Sequence, residues 1–175
     1  YGLTNPKDFN LYFDYVKGYE CARARNEIAK LAIKHDFDYV LMVDSDVSVP
    51  KDALVKLFEC ETDIALGWYF KKRTRTDESV IFDFGKDFTG ENMIYAKTLS
   101  ALNDPFEVKG GGLGISLVNV NVFRKMAYPY FKYVIYDNDT ILSEDLYFCS
   151  EARKYGMNIK CNPNVKGDHI YEVLM

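Results

Sequence analysis

The sequence predicts an α/β protein built on an open sheet, with a ligand site at the carboxyl edge of that sheet. Residues 39–50 read Tyr-Val-Leu-Met-Val-Asp-Ser-Asp-Val-Ser-Val-Pro, an apolar run that ends in two carboxylates separated by one residue. A run of that length and composition fits a strand buried on both faces, and in open α/β sheets ligands sit at the carboxyl ends of such strands. Around it, strand-like runs alternate with segments of helical periodicity.

In chain order, residues 11–16 alternate aromatic and aliphatic side chains around Asp14 and read as a strand. Residues 20–34 carry Ala22, Ile28, Ala29, Ala32 and Ile33 as the apolar face of an amphipathic helix. The run at 39–50 follows. In an extended backbone alternate side chains point the same way, so Asp44 and Asp46 project towards one point. Paired carboxylates need a shared proton or a cation, and hard oxygens suit Mg²⁺ or Mn²⁺. The alternative is a surface turn capping the next helix. That helix begins near Pro50, a residue suited to a first turn, with Leu54, Leu57 and Phe58 on its buried stripe. Residues 63–69 form the next strand, ending in Trp68 and Tyr69, and Lys71, Lys72, Arg73 and Arg75 follow as a basic loop. Residues 80–84 and 93–96, with polar residues and Gly90 between them, read as a hairpin.

Four glycines, Gly110, Gly111, Gly112 and Gly114, precede the apolar run at 115–118. Clustered glycines permit positive φ and close approach of backbone to a ligand; the alternative is a mobile or bulged turn. A short helix over 119–126 comes next. A stronger one over 143–155 has Ser143 as N-cap, Leu146, Tyr147 and Cys149 to pack, and Gly156 as its stop. Residues 157–161 return as a strand, and the chain closes through Gly167, Asp168, His169 and Ile170.

Composition bounds the function. A chain of 175 residues with 48% apolar content makes one well-cored domain. A formal net charge of −4 argues against nucleic-acid binding, while an anionic nucleotide stays compatible because a bound metal reverses the local field. No run of about eighteen apolar residues offers a membrane span. Cys21, Cys60, Cys149 and Cys161 form no C-x-x-C pair and read as reduced thiols of a cytoplasmic protein, at most peripheral at a membrane. The chain opens with Tyr1 rather than Met, as a trimmed piece of a longer protein would.

Three groups now stand at the ends of predicted elements: Asp44 and Asp46, Glu144 and Asp145 in the first turn of a helix, and His169. Their order resembles the glycosyltransferases of the GT-A fold, the family-two group above all. The likeness rests on Ala24-Arg25-Asn26 in a helix, the strand-ending Asp44-Ser45-Asp46, the glycine-rich strand entry, Glu144-Asp145-x-x-Phe148, and a late His169 after an Asn-Pro turn. It runs over residues 20–170.

This resemblance implies a Rossmann-like three-layer sandwich with a mixed sheet, here lacking the family's first strand. It implies transfer of a sugar from a UDP- or GDP-sugar to a hydroxyl of a glycan, lipid or protein, with inversion at C1 and a divalent cation, Mn²⁺ or Mg²⁺. Asp46 is then a direct metal ligand, Asp44 the ribose or metal partner, and His169 a second metal ligand. Asp145 is the general base with Glu144 in support, and peptide N–H groups and the macrodipole at the helix start favour its ionised form. Arg25 lies near the nucleotide, or is an ordinary solvated helix charge. Gly110, Gly111 and Gly112 line the donor-sugar or acceptor pocket. Trp68 and Tyr69 offer an aromatic face to stack on a sugar, or Trp68 belongs to the core. The basic loop closes over the diphosphate, or is a solvated face.

Two rival readings share the motif. A haloacid-dehalogenase-like phosphatase also ends an apolar strand in Asp-x-Asp and binds Mg²⁺, its first Asp acting as nucleophile. A non-catalytic sugar-nucleotide or glycan-binding domain keeps the fold without turnover.

Overall fold

The helix expected at residues 20–34 forms as α1, Cys21–Lys34. Glu20 starts it, its carboxylate accepting from the N–H groups of Ala22 and Arg23 at 3.0 and 2.7 Å. A computed structural model describes residues 9–71, 77–84, 92–137 and 139–170. After α1 come β1 (Tyr39–Val43), β2 (Val47–Ser48), α2 (Ala53–Phe58), β3 (Ile64–Trp68), β4 (Glu78–Phe82), β5 (Met93–Tyr95) and α3 (Ala96–Leu99). The second half runs β6 (Phe106–Glu107), β7 (Gly110–Gly111), β8 (Ile115–Asn119), α4 (Val120–Lys125), β9 (Val134–Ile135), β10 (Ile141–Leu142), α5 (Glu144–Lys154), β11 (Ile159–Lys166) and β12 (Asp168–His169).

Five strands make the main sheet in the order β1-β8-β3-β11-β6. It is mixed: β3 and β11 are parallel, and the other neighbours are antiparallel. Period-two alternation divides its side chains between two cores. Ile64, Leu66, Trp68, Val118 and Ile159 join Ala29 of α1, Phe123 of α4 and Phe148 of α5 in one cluster. Ala65, Ile115, Leu117 and Val165 join Leu54 and Leu57 of α2 in the other. Helices therefore cover both faces. The hairpin of β4 and β5 forms as expected, and β7 extends it to three strands.

Several expectations are corrected. Residues 11–16 form no strand; Leu11, Tyr12, Phe13 and Tyr15 are exposed, because alternation makes a strand only where a neighbour pairs with it. β1 is not buried on both faces: it is an edge strand on which Met42 alone is buried. Its apolar run records composition and carries no information about how many neighbours it has. Phe58 is 40% exposed, leaving the α2 stripe to Ala53, Leu54 and Leu57. The strand after Gly156 is longer than expected and carries Asn162-Pro163-Asn164 within it. Lys72, Arg73, Arg75 and Gly90 lie outside the described residues. Among the described residues no helix is long and apolar enough to cross a membrane.

Candidate active site

Because β8 runs antiparallel to β1 and β3, its amino end lies beside their carboxyl ends. Asp44 follows β1 and its N–H donates to the Gly114 carbonyl at 3.0 Å. Tyr69 follows β3, and its buried hydroxyl oxygen accepts from the Gly114 N–H at 3.0 Å. The first turn of α5 arrives at the same edge, where Asp145 Oδ2 accepts from the Leu113 N–H at 3.2 Å.

Arg25 closes the group. Its Nη2 donates to both oxygens of Asp44 at 2.9 and 3.2 Å, and its Nη1 donates to Glu144 Oε1 at 2.6 Å and to Asp145 Oδ1. The arginine is 4% exposed and Glu144 5%, so Arg25 is not the solvated helix charge of the alternative reading. One guanidinium against three carboxylates leaves negative charge in excess wherever all three ionise. Burial pushes the Asp145 carboxyl up to about 7, with Glu144 and Asp44 reinforcing the rise and Arg25 and the Leu113 N–H opposing it. This corrects the expectation of a carboxyl kept ionised by the helix end, since desolvation outweighs the dipole. Ser143 holds the N-cap position without a side-chain capping bond. Burial works against the Arg25 charge, yet Asp145 and Asp44 raise its proton affinity above the ordinary arginine value.

Asp44 and Asp46 are not neighbours on an extended strand. The chain turns between them, with the Val47 N–H donating to the Asp44 carbonyl at 3.1 Å. The turn reading of this segment is therefore correct for the backbone. β12 then pairs with β2, setting His169 opposite Val47 and the Ile170 N–H 2.7 Å from the Asp46 carbonyl. Asp46 and His169 so lie on adjoining stretches of backbone. The His169 ring meets Tyr69 edge to face, centroids 5.0 Å apart. Among the described residues no group of three or more His, Cys, Asp or Glu side chains is gathered to hold a metal ion. The carboxylate and imidazole of Asp46 and His169 nevertheless suit a divalent cation that takes the rest of its shell from phosphate oxygens, as magnesium sites commonly do.

The glycines serve packing rather than a flexible loop. Gly110 and Gly111 are buried as β7, and positive φ among the described glycines belongs to Gly18 and Gly156. A Cβ on Gly112 would meet the Tyr69 hydroxyl at 2.7 Å. On Gly114 it would lie 2.5 Å from that hydroxyl and 2.8 Å from Asp44 Oδ2. The close approach is thus to the protein's own Tyr69 and Asp44. Trp68 belongs to the core: it is 1% exposed, and its Nε1–H donates to the Pro163 carbonyl at 2.8 Å. Its ring is covered, which removes it as a sugar platform. Strand periodicity groups Trp68 with Ile64 and Leu66 and sets Tyr69 apart from them, the signal that separates the two aromatic candidates and leaves Tyr69 at the site edge. All four cysteines are free, and burial pushes the Cys149 thiol up to about 12, far from a thiolate nucleophile.

No family model matches the chain, and no curated protein matches it. Solved structures do match. The crystal structure of A197 from STIV superposes with a TM-score of 0.60 at 20% identity, over 86% of this chain and 68% of that one. The crystal structure of GalNAc-T7 with UDP, GalNAc and Mn²⁺ superposes with a TM-score of 0.51 at 13% identity, over 86% of this chain. The present chain spans 30% of the GalNAc-T7 chain. At these identities the likeness is one of fold: a mixed α/β architecture resembling that of a glycosyltransferase.

Proposed function

We propose that this chain is a metal-dependent glycosyltransferase domain that moves a sugar from a nucleoside-diphosphate donor to an acceptor hydroxyl with inversion at C1. The observation that carries the reading is the convergence of Asp44, Glu144 and Asp145 on the buried Arg25, at the carboxyl ends of β1 and β3. A fold shared with a structure that holds UDP, GalNAc and Mn²⁺ supports it.

In this reading Asp145 removes the proton from the acceptor hydroxyl as that oxygen attacks C1. A base with proton affinity near 7 is matched to neutral pH, ionised often enough to act and basic enough to take the proton. The Leu113 N–H on one oxygen and Arg25 on the other fix its orientation. Glu144 anchors Arg25 from below, and Arg25 in turn holds Asp44 at the donor side. The bond from C1 to the diphosphate oxygen breaks and negative charge grows on the leaving group. A divalent cation held by Asp46 and His169, with Asp44 beside it, would neutralise that charge. Gly112 and Gly114 let Tyr69 and Asp44 pack close to the backbone at the edge where, in this reading, the donor binds.

The test is incubation with UDP-, GDP- and CDP-sugars, with and without Mn²⁺, reading melting temperature and released nucleoside diphosphate. One donor should raise the melting temperature only with the metal and release its diphosphate. Release of inorganic phosphate from phosphomonoesters would favour the phosphatase, and donor binding without release the non-catalytic domain.

A further inference from the structure

We infer that the cleft between α1 and the segment 128–133 binds a sugar carrying an anionic group, as the acceptor side of the site; this rests on the transferase reading above. The cleft has a volume of about 390 Å³ and is lined by Glu20, Arg23 and Asn26 at and within the start of α1 and by Tyr128, Lys132 and Tyr133 from the facing segment. Clefts of ~300–1,000 Å³ are the ordinary size for small ligands.

Its walls are built in advance of any ligand. Asn26, 5% exposed, donates to the carbonyls of Ala22 and Phe131 at 2.8 and 2.7 Å. Its oxygen accepts from the N–H groups of Tyr130 and Phe131 at 3.0 and 3.3 Å. The facing segment is thereby fastened to α1. Phe131 stacks on Phe148, centroids 4.6 Å apart, one turn along α5 from Glu144. Tyr133 faces Glu144 directly: burial first, and that carboxylate second, raise its phenol above the ordinary value. The cleft therefore adjoins Glu144, the residue next to the proposed base Asp145.

Its chemistry selects the ligand class. Arg23 and Lys132 are exposed, and among the described residues neither is in a salt bridge. Each instead lies over an aromatic face, Arg23 at 4.2 Å from the Tyr19 centroid and Lys132 at 4.7 Å from that of Tyr147. In a chain of net charge −4, Arg23 and Lys132 outnumber Glu20 at this cleft, and the Glu20 carboxylate is engaged by the first-turn N–H groups of α1, so the local field favours an anion. The helix end contributes none of it, since Glu20 already takes the first-turn N–H groups. Tyr133 is an exposed aromatic ring of the kind on which a sugar ring stacks, and Tyr128, with Lys30 at 4.7 Å from its centroid, adds a second exposed ring beside it. Cations plus tyrosine faces describe an acidic sugar better than a neutral one.

The test titrates glucuronate, glucose 6-phosphate, glucose and a short polyglutamate peptide into the isotope-labelled 175-residue chain, following amide shifts of residues 20–26 and 128–133. One or both anionic sugars should shift these amides with an affinity about five- to tenfold above glucose. Which one does so distinguishes a carboxylate from a phosphate ligand. The preference should vanish in Arg23→Gln/Lys132→Gln while Asn26 keeps the cleft in place. Equal binding of glucose, binding of the peptide as tight as that of the sugars, shifts elsewhere, or none at all would overturn the proposal. The assay needs neither donor nor turnover. Cleft binding without any donor response would leave an anionic-sugar site but sink the transferase reading and with it the acceptor role, whereas a donor response with a silent cleft would sink this proposal alone.

Discussion

Arg25 and Asp44 are joined through two hydrogen bonds, 2.9 and 3.2 Å, so that a buried helix arginine holds the carboxylate at the end of the edge strand. The same guanidinium reaches Glu144 and Asp145. One side chain thus ties the proposed donor side to the proposed base.

Removing that tie should be costly. Arg25→Met leaves three carboxylates facing one another in a part-buried site, and breaking a buried pair by deleting one partner commonly costs ~3–5 kcal/mol. Urea unfolding should show a loss of that order at pH 8 and a smaller one at pH 5, where protonated carboxyls repel less. Arg25→Lys should rescue only part of it, because an ammonium cannot present the planar fork that spans Asp44 and the Glu144-Asp145 pair.

Gly114→Ala tests the close approach. The added methyl would lie 2.5 Å from the Tyr69 hydroxyl and 2.8 Å from Asp44 Oδ2, forcing one of them away. Overpacking of this kind costs ~1–3 kcal/mol. Thermal melting should register the loss, and donor affinity should fall with it, whereas Gly18→Ala, at φ +83° with nothing within 4 Å, should cost stability through backbone strain and leave donor affinity unchanged.

How much of this was legible in the sequence depends on which residues are asked about. α1 and α5 declared themselves through periodicity, and the hairpin through two strand-like runs with polar residues between them. The burial of Arg25 did not, because a charge on a helix reads as solvated until three carboxylates from Asp44, Glu144 and Asp145 are seen to converge on it. Neither did the edge position of β1, since an apolar run looks alike beside one neighbour or two. The same blindness made a strand of residues 11–16. Asp46 and His169 could be named from their motif, but only the pairing of β2 with β12 sets them on adjoining backbone.

The metal proposal concerns these two residues. Asp46→Ala and His169→Ala should each abolish Mn²⁺-dependent binding of nucleoside diphosphate while the melting temperature changes little, as expected for side chains at strand ends that serve an ion more than the core. Calorimetric titration of UDP and GDP with Mn²⁺ decides it. Undiminished affinity in either variant removes that residue from the metal site.

The raised proton affinity of Asp145 also sets a pH dependence of stability. The folded state holds this proton up to about pH 7, whereas an unfolded Asp releases it near its ordinary value of 3.8. Between those values the unfolded state binds fewer protons, so the contribution of this group to stability falls as pH rises through that window. Asn mimics the protonated form. The melting temperature of Asp145→Asn relative to the unsubstituted chain should therefore climb from pH 5 to pH 8; a difference that is flat or falls would show that Asp145 is ionised throughout.

Transfer rate measured beside donor affinity in Asp145→Asn decides whether Asp145 is the base. With the donor found by the sugar-nucleotide screen, donor and metal affinity should stay within a few-fold of the original and transfer should slow by roughly 10²–10⁴, the usual scale for losing a positioned base. In the unsubstituted chain the rate should rise with pH through about 7, following ionisation of Asp145. Transfer at near-original rate in Asp145→Asn, or donor affinity lost in step with the rate, would contradict the assignment of Asp145 as the base.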